Sequence, residues 1–457
     1  MIMFNQDVIE AAGKVAGAAQ NDFFKITGNG AVIVSAVAGA GKSYFVTDTV
    51  KKCRALGLRV AVGAPTNEQV FSLVRSIADS DPGRVAYIHG EKVIPPLGIL
   101  RPNVAIISPA YQATGETVLV GTIHKLASAI NPQSGFIPAL GQFDALIIDE
   151  SFQATSANYF AVAGIAPRHL CVGDSGQILP FTTVEAGLQW KGLAEDPLQT
   201  AVGVLRLNHP NTPLHRFPIT RRLDSRGALI ARNFYSHDHH FEAAVADGVR
   251  TMKLGPATAV SSREKALDKA LSTAAQSGWA YLEQPAFQTL ILDPVTGQLI
   301  TDLICRLMHR TCTLTCERNQ KGAPLDAERI AVVVSHNDQK DMVRGMLNDV
   351  GLAGVVVNTA NKLQGLEFDV VVCWHPMAGL DEPDKFHLEA GRLCVMCTRH
   401  RHACFVVGRR GDRELVEGLP PATPAYPGSA PDDDDILRGW EVHQGVFSAL
   451  TPYLVQI

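Results

Sequence analysis

The sequence predicts an α/β protein made of two mostly parallel sheets with helices on both faces, and three observations lead there. Short apolar runs alternate with amphipathic segments along most of the 457 residues. That is the pattern of strand–helix–strand units whose strands are covered on both sides. The runs form two groups: Val32–Ala36, Val60–Ala64, Ala145–Ile148 and Leu170–Val172 in the first half, and Ile330–Ser335, Val355–Val357, Val370–Trp374 and Cys404–Val407 in the second. One run leads directly into a glycine-rich turn followed by an amphipathic segment, AVIVSAVAGAGKSYFVTDTV.

Length and composition set bounds. A chain of this size holds two or three domains. Hydrophobic residues make up 46% and charged residues 19%, enough for sizeable cores. No run of 18 uncharged apolar residues is present, so no membrane helix is expected. The first residues lack a basic stretch followed by an apolar run, so no secretory signal is expected either. The nine cysteines are scattered and read as reduced thiols of a cytoplasmic protein. The formal net charge of −4 gives no global attraction to nucleic acid, so any such contact must use a local patch.

The turn Ala36-Val-Ala38-Gly39-Ala40-Gly41-Lys42-Ser43 carries the strongest chemistry. A backbone that curls around phosphates with its N–H groups inward needs glycines. Lys42 would reach the outer phosphates and the Ser43 hydroxyl would hold Mg²⁺. The following helix N-terminus adds a favourable dipole. The loop opens on Ala36 where the usual pattern has glycine. A second requirement is a carboxylate pair at another strand end, and FDALIIDESFQ supplies it. Asp149 would hold Mg²⁺ and Glu150 would polarise the attacking water as general base.

With these residues placed, the chain resembles a superfamily 1 helicase over most of its length. Asp149-Glu150-Ser151-Phe152-Gln153 matches the DExxQ box. Ala64-Pro65-Thr66-Asn67 resembles motif Ia, and Gly121-Thr122-Ile123-His124-Lys125-Leu126 resembles an element of the exonuclease V alpha-subunit-like branch. The stretch 173–180, GDSGQILP, resembles motif III. Ile219-Thr220-Arg221-Arg222 stands at motif IV, with Arg221 where an aromatic is usual. VVSHNDQ at 333–339 resembles motif IVa, Thr359–Asp369 resembles motif V, and Gly391–Arg399 resembles motif VI. The resemblance implies two RecA-like P-loop domains with ATP in the cleft between them. It implies Lys42, Glu150, Gln177, Arg222 and Arg399 as the catalytic set, with Mg²⁺ on Ser43 and Asp149. It implies nucleotide contacts from Gln20, Ala38, Gly39, Ala40, Gly41, Lys42, Ser43, Tyr44, Gln364, Gly365 and Glu367. Single-stranded nucleic acid, DNA before RNA, would cross Pro65, Thr66, Asn67, Thr122, His124, Lys125, Thr359, Asn361 and Lys362. The activity implied is ATP-driven helicase or translocase movement. The second reading is a nucleic-acid-stimulated ATPase that translocates or remodels complexes without separating strands.

The expected division is a first domain at 1–212 with a small inserted subdomain at 80–120, a second at 213–415 whose stretch 240–325 is hard to read, and a C-terminal extension at 416–457. Three constellations are declined. Cys305, His309, Cys312 and Cys316 recur at helical spacing and read as one buried helix face, from which four ligands cannot converge on zinc. Cys394 and Cys397 read as small-residue packing. His237–His240 and the acidic run Asp432–Asp435 read as solvated loops. Base-stacking aromatics have no recognisable position in the sequence; Phe152, Phe181 and Trp374 read as packing.

Overall fold

The computed structural model describes residues 3–90, 92–107, 117–130, 143–178, 180, 199–289, 291–418 and 435–457. Phe181 and most of the run Asp432–Asp435 lie outside them. Two sheets dominate. The first has eight strands in the spatial order Val104–Ile107, Val85–Ile88, Val118–Thr122, Val60–Ala64, Ala145–Ile148, Arg168–Gly173, Gly30–Ala36 and Leu214–Phe217. Every neighbouring pair is parallel. The second has six strands in the order Val356–Thr359, Ile330–Val334, Phe368–Trp374, His400–Arg409, Trp279–Gln284 and Leu454–Gln456, again all parallel. Both anticipated sheets are therefore present.

Parallel strands need crossovers, and the helices that supply them cover both faces. Along Gly30–Ala36, Val32, Val34 and Ala36 pack on one side with Phe23, Phe45, Val46, Val70 and Leu73. Ile33 packs on the other with Ile123, Leu126, Tyr159 and Val204. The first of these clusters continues into the second half, where Trp279, Val371, Val395, Met396 and Phe447 join it. One apolar core thus runs through both halves. A second core, built on Leu299, Leu303, Val332, Val343 and Phe405, covers the far face of the second sheet.

Several expectations are corrected by the topology. The described part of 80–120 is no separate subdomain: Val85–Ile88 and Val104–Ile107 extend the first sheet at its edge, with Val85 to Ile88 paired in register with Val104 to Ile107. Leu214–Phe217 lies beside Gly30–Ala36, so the first sheet runs past residue 212. The segment beyond 416 is no appendage either, because Leu454–Gln456 completes the second sheet and Asp435–Leu450 sends Val446 and Phe447 into the shared core. The cysteine-rich stretch is one helix only to His309. Cys316 ends the strand Thr313–Cys316, which pairs antiparallel with Thr251–Lys253 and Asn319–Pro324. Cys394 and Cys397 are buried in Ala390–Cys397 as packing, whereas His239 is a buried ring against Phe217 O and not a solvated group. No described helix is long and apolar enough to cross a membrane.

A buried ion pair fixes the second domain. The Arg409 guanidinium donates to Asp293 Oδ2 through Nε at 3.0 Å and Nη2 at 2.5 Å. Asp293 also caps the helix Pro294–His309, accepting from the Val295 and Thr296 N–H groups. Burial would raise the Asp293 carboxyl, but its bonds to Thr296 and Arg409 win and hold it below its ordinary value of 3.8. Its contribution is therefore complete above that value and is lost as pH falls below it. Replacing Asp293 by Ala leaves a buried, unpaired guanidinium, so urea unfolding at pH 7 will show a loss of about 3–5 kcal/mol.

Candidate nucleotide site

The turn after Gly30–Ala36 forms at the carboxyl end of the first sheet, and the helix Lys42–Ala55 starts directly from it with Gly41 in the left-handed region at φ 95°. Gly39 is left-handed as well, at φ 73°. A Cβ there would lie 2.4 Å from Arg222 Cβ, so the loop and the motif IV segment meet with no room for a side chain. Backbone bonds fix the contact: Arg221 N–H donates to Gly39 O at 2.8 Å, and the Thr220 hydroxyl donates to Ala38 O at 2.8 Å.

Loop and carboxylates converge. Lys42 Nζ stands 3.2 Å from Glu150 Oε1 and 3.7 Å from Asp174 Oδ2. Burial would lower the Lys42 pKa, yet the charges of Glu150, Asp174 and Asp149 outweigh it and leave the ammonium above its ordinary range. Burial and the neighbouring Glu150 push the Asp149 carboxyl up, with Lys42 opposing. Glu150 itself is left-handed at φ 54°, a conformation a non-glycine residue adopts only when its surroundings impose it. Its side chain is aimed by Gln153, which donates to Glu150 Oε2 at 3.2 Å.

Two arginines far apart in sequence add cations to the same cleft. Arg399 is fully buried and Arg222 nearly so. Burial and then repulsion from Arg399 lower the Arg222 pKa to about 10, with Glu367 and Asp174 opposing. Arg399 Nη2 donates to Thr398 Oγ1 at 2.9 Å, while its Nε and Nη1 have no hydrogen-bond partner among the described residues. Arg222 Nε likewise makes no hydrogen bond among the described residues, only a loose 3.5 Å approach to Glu367 Oε2. Buried guanidinium N–H groups left open are costly unless an acceptor arrives. These donors line a cleft of about 480 Å³ together with Gly39, Ala40, Gly41, Lys42, Ser43, Glu150, Gln177, Gly365 and Glu367.

Most expected nucleotide residues are therefore brought together, with exceptions. Gln20 is withdrawn: its side chain donates to Asp48 and Thr49 and accepts from Lys52 on the helix behind the loop. Tyr44 points to solvent at 79% exposure and does not line the cleft. Ala38 supports the loop from beneath. Gln364 does not line the cleft; its amide donates across the domain junction to Gln177 Oε1 at 2.7 Å, and Gln177 donates to Asp174 Oδ2 at 2.7 Å. Both Arg221 and Arg222 line the cleft. Unanticipated neighbours are Phe4, Ala244, Val245, Glu317, Arg318 and Arg401. Arg401 lies two residues beyond Arg399, and that spacing was a usable signal. Phe4 and Val245 meet through an antiparallel bridge between distant segments, and no local pattern announces it. Glu317 ties this wall together through Arg250 at 2.9 Å and Arg401 at 2.6 Å. Burial would raise its carboxyl, but Arg250 and Arg401 hold it down at about 2.

The residues proposed for nucleic acid also sit at carboxyl strand ends. Ala64 and Thr122 are register partners of adjacent strands, so Pro65, Thr66, Asn67, His124 and Lys125 follow on the same rim. Thr66 and Thr122 additionally cap the helices that begin there. Thr359, Asn361 and Lys362 follow the edge strand of the second sheet, and Thr359 is the register partner of Val334. Beside them, after Val334, His336 lies 5.0 Å from the Phe386 ring, whose face is covered by the Arg392 guanidinium at 3.7 Å.

Residues 297–411, about a quarter of the chain, match the model of an AAA domain, AAA_12. No curated protein matches. Among solved structures, the PRRSV helicase shares 12% identity at a TM-score of 0.40 over 86% of this chain and 54% of that one. Arterivirus nonstructural protein 10, a helicase, shares 13% at 0.41 over 87% and 62%, alone and in a complex with DNA. The chain thus spans between half and two thirds of the length of these structures. Fold and cleft together define a protein of the P-loop type with mostly parallel sheets.

The close approach at Gly39 gives a direct test. Gly39→Ala adds a Cβ against Arg222 and forces an alanine into the left-handed region, at a cost of about 1–3 kcal/mol. Fluorescent-nucleotide titration will show weakened binding by roughly tenfold or more, while urea unfolding changes little beyond that cost.

Proposed function

We propose that this chain is an ATP-dependent motor of the superfamily 1 helicase type that steps along single-stranded nucleic acid, with DNA favoured over RNA. One observation carries the reading. A phosphate-loop lysine flanked by Glu150 shares a cleft with two buried arginines, and among the described residues Arg222 Nε and Arg399 Nε and Nη1 have no hydrogen-bond acceptor. A polyphosphate would supply the acceptors that the arginines lack.

In this reading, ATP phosphates take Lys42 from its carboxylate partners and receive the N–H groups at the start of Lys42–Ala55, which have no intrahelical acceptor. Ser43 and Asp149 would hold Mg²⁺, which neutralises charge on the phosphates when bound. Glu150, held by Gln153, orients and deprotonates the attacking water. Arg222 and Arg399 stabilise charge developing on the transferred phosphoryl group. Gln177 links this event to the second half through Gln364, so a change at the phosphates is felt at the segment that also carries Thr359, Asn361 and Lys362. Small polar side chains and a lysine on one rim suit sugar–phosphate contacts without sequence preference, and the group of His336, Phe386 and Arg392, following the neighbouring strand, would offer bases a surface to stack on.

The second reading, translocation or remodelling without strand separation, draws support from two features. The connection from Asn337–Asp349 to Val356–Thr359 is six residues long, with no domain inserted. The described part of 80–120 is sheet rather than accessory domain.

Steady-state hydrolysis with and without single-stranded DNA or RNA decides between outcomes. The expected result is stimulation by a single-stranded polymer, with Lys42→Ala and Glu150→Gln each lowering turnover roughly 10²–10⁴-fold. Hydrolysis indifferent to any polymer would turn the reading toward a protein-coupled ATPase. No hydrolysis would end it.

A further inference from the structure

Tyr235 belongs to none of the motifs above, yet its hydroxyl sits where three parts of the cleft meet. The Ala38 N–H of the phosphate loop donates to it at 2.8 Å across 197 residues of sequence. It donates to Asp174 Oδ2 at 3.4 Å. Cys394 Sγ lies 3.9 Å away, on the helix Ala390–Cys397 that delivers Arg399.

The ring is held rigidly. It packs edge-on against His239 and Phe241, and a Cβ on Gly176 would come within 2.6 Å of it. Burial and the nearby Asp174 charge raise the phenol well above its ordinary range, so it stays protonated. A neutral hydroxyl has one proton to give. Giving it to Asp174 leaves a lone pair for Ala38, so the direction of the chain is fixed: Ala38 N–H to Tyr235 to Asp174. Asp174 Oδ2 also accepts from Gln177 at 2.7 Å and faces Lys42 at 3.7 Å.

We propose that Tyr235 is a positioning residue of the nucleotide site. It occupies the Ala38 amide, so the entry turn of the loop is set before phosphate arrives. Through Asp174 it also fixes the carboxylate that Lys42 must leave when phosphate binds. The proposal rests on the ATP-binding reading above.

The test is Tyr235→Phe in the full chain, which keeps the ring and its packing and removes only the hydroxyl. Initial rates against ATP concentration give KM and kcat separately, and thermal melting reports the fold. Tyr281→Phe, at a buried tyrosine of the second sheet, is the control. Loss of the hydroxyl is expected to raise KM about five- to tenfold, the scale of one hydrogen bond, with kcat within about twofold and no comparable effect of Tyr281→Phe. An unchanged KM overturns the proposal, and so does a lowered melting temperature with KM intact, which would mark Tyr235 as packing. A wild type without ATPase activity would sink the nucleotide reading itself, and this proposal with it.

Discussion

Two guanidinium groups buried side by side are the constraint on which the cleft depends. Arg222 and Arg399 repel each other in a medium that screens poorly, and that repulsion is one reason the Arg222 pKa falls to about 10. Glu367 compensates in part at 3.5 Å, but it is half-exposed and shared with Arg401. Lys42 shows the opposite condition, a cation over-supplied with carboxylates. The cleft therefore holds opposite imbalances, carboxylates around Lys42 and guanidinium groups at Arg222 and Arg399; in the proposed function a polyphosphate would answer the second and a divalent cation the first. A buried charge that awaits its partner is weak evidence for stability but strong evidence for a site.

The fold makes that arrangement affordable by holding the halves on a common core. The cluster that packs Val34 and Phe45 also packs Trp279, Met396 and Phe447. Arg222 and Arg399 therefore arrive on segments anchored in the same apolar mass as the phosphate loop. Polar contacts between the two halves include Gln364 to Gln177, Thr220 to Ala38 O and the Tyr235 hydroxyl to Asp174.

Much of this was legible in the sequence, for a physical reason. Phosphate chemistry demands particular residues at particular strand ends, so Lys42 and Glu150 could be placed by the apolar runs that precede them; Gln177 and Arg399 came only from the resemblance of their motifs, and Arg399 stands between the helix Ala390–Cys397 and the strand His400–Arg409. The strands were legible because both faces are covered, which makes each a nearly continuous apolar run. What escaped depends on long-range meetings. Phe4 reaches Val245 through a bridge no periodicity encodes. Tyr235 reads as an ordinary aromatic until Ala38 is seen against it. Gln20 sat at a suitable spacing but is claimed by Asp48, Thr49 and Lys52. The helical reading of Cys312 and Cys316 failed because the spacing carried on past His309, where the chain turns into a strand.

At the centre of the proposed function, Arg222 and Arg399 complete the site only for a phosphoryl group in transfer. Trapping a fluorescent ADP with aluminium fluoride, which mimics that group, measures this most directly. The account predicts that wild type retains the trapped complex, while Arg399→Ala binds the ADP about as well and fails to trap it. Equal trapping by both proteins would contradict the claim, because Arg399 would then be a buried structural charge and not part of the reaction.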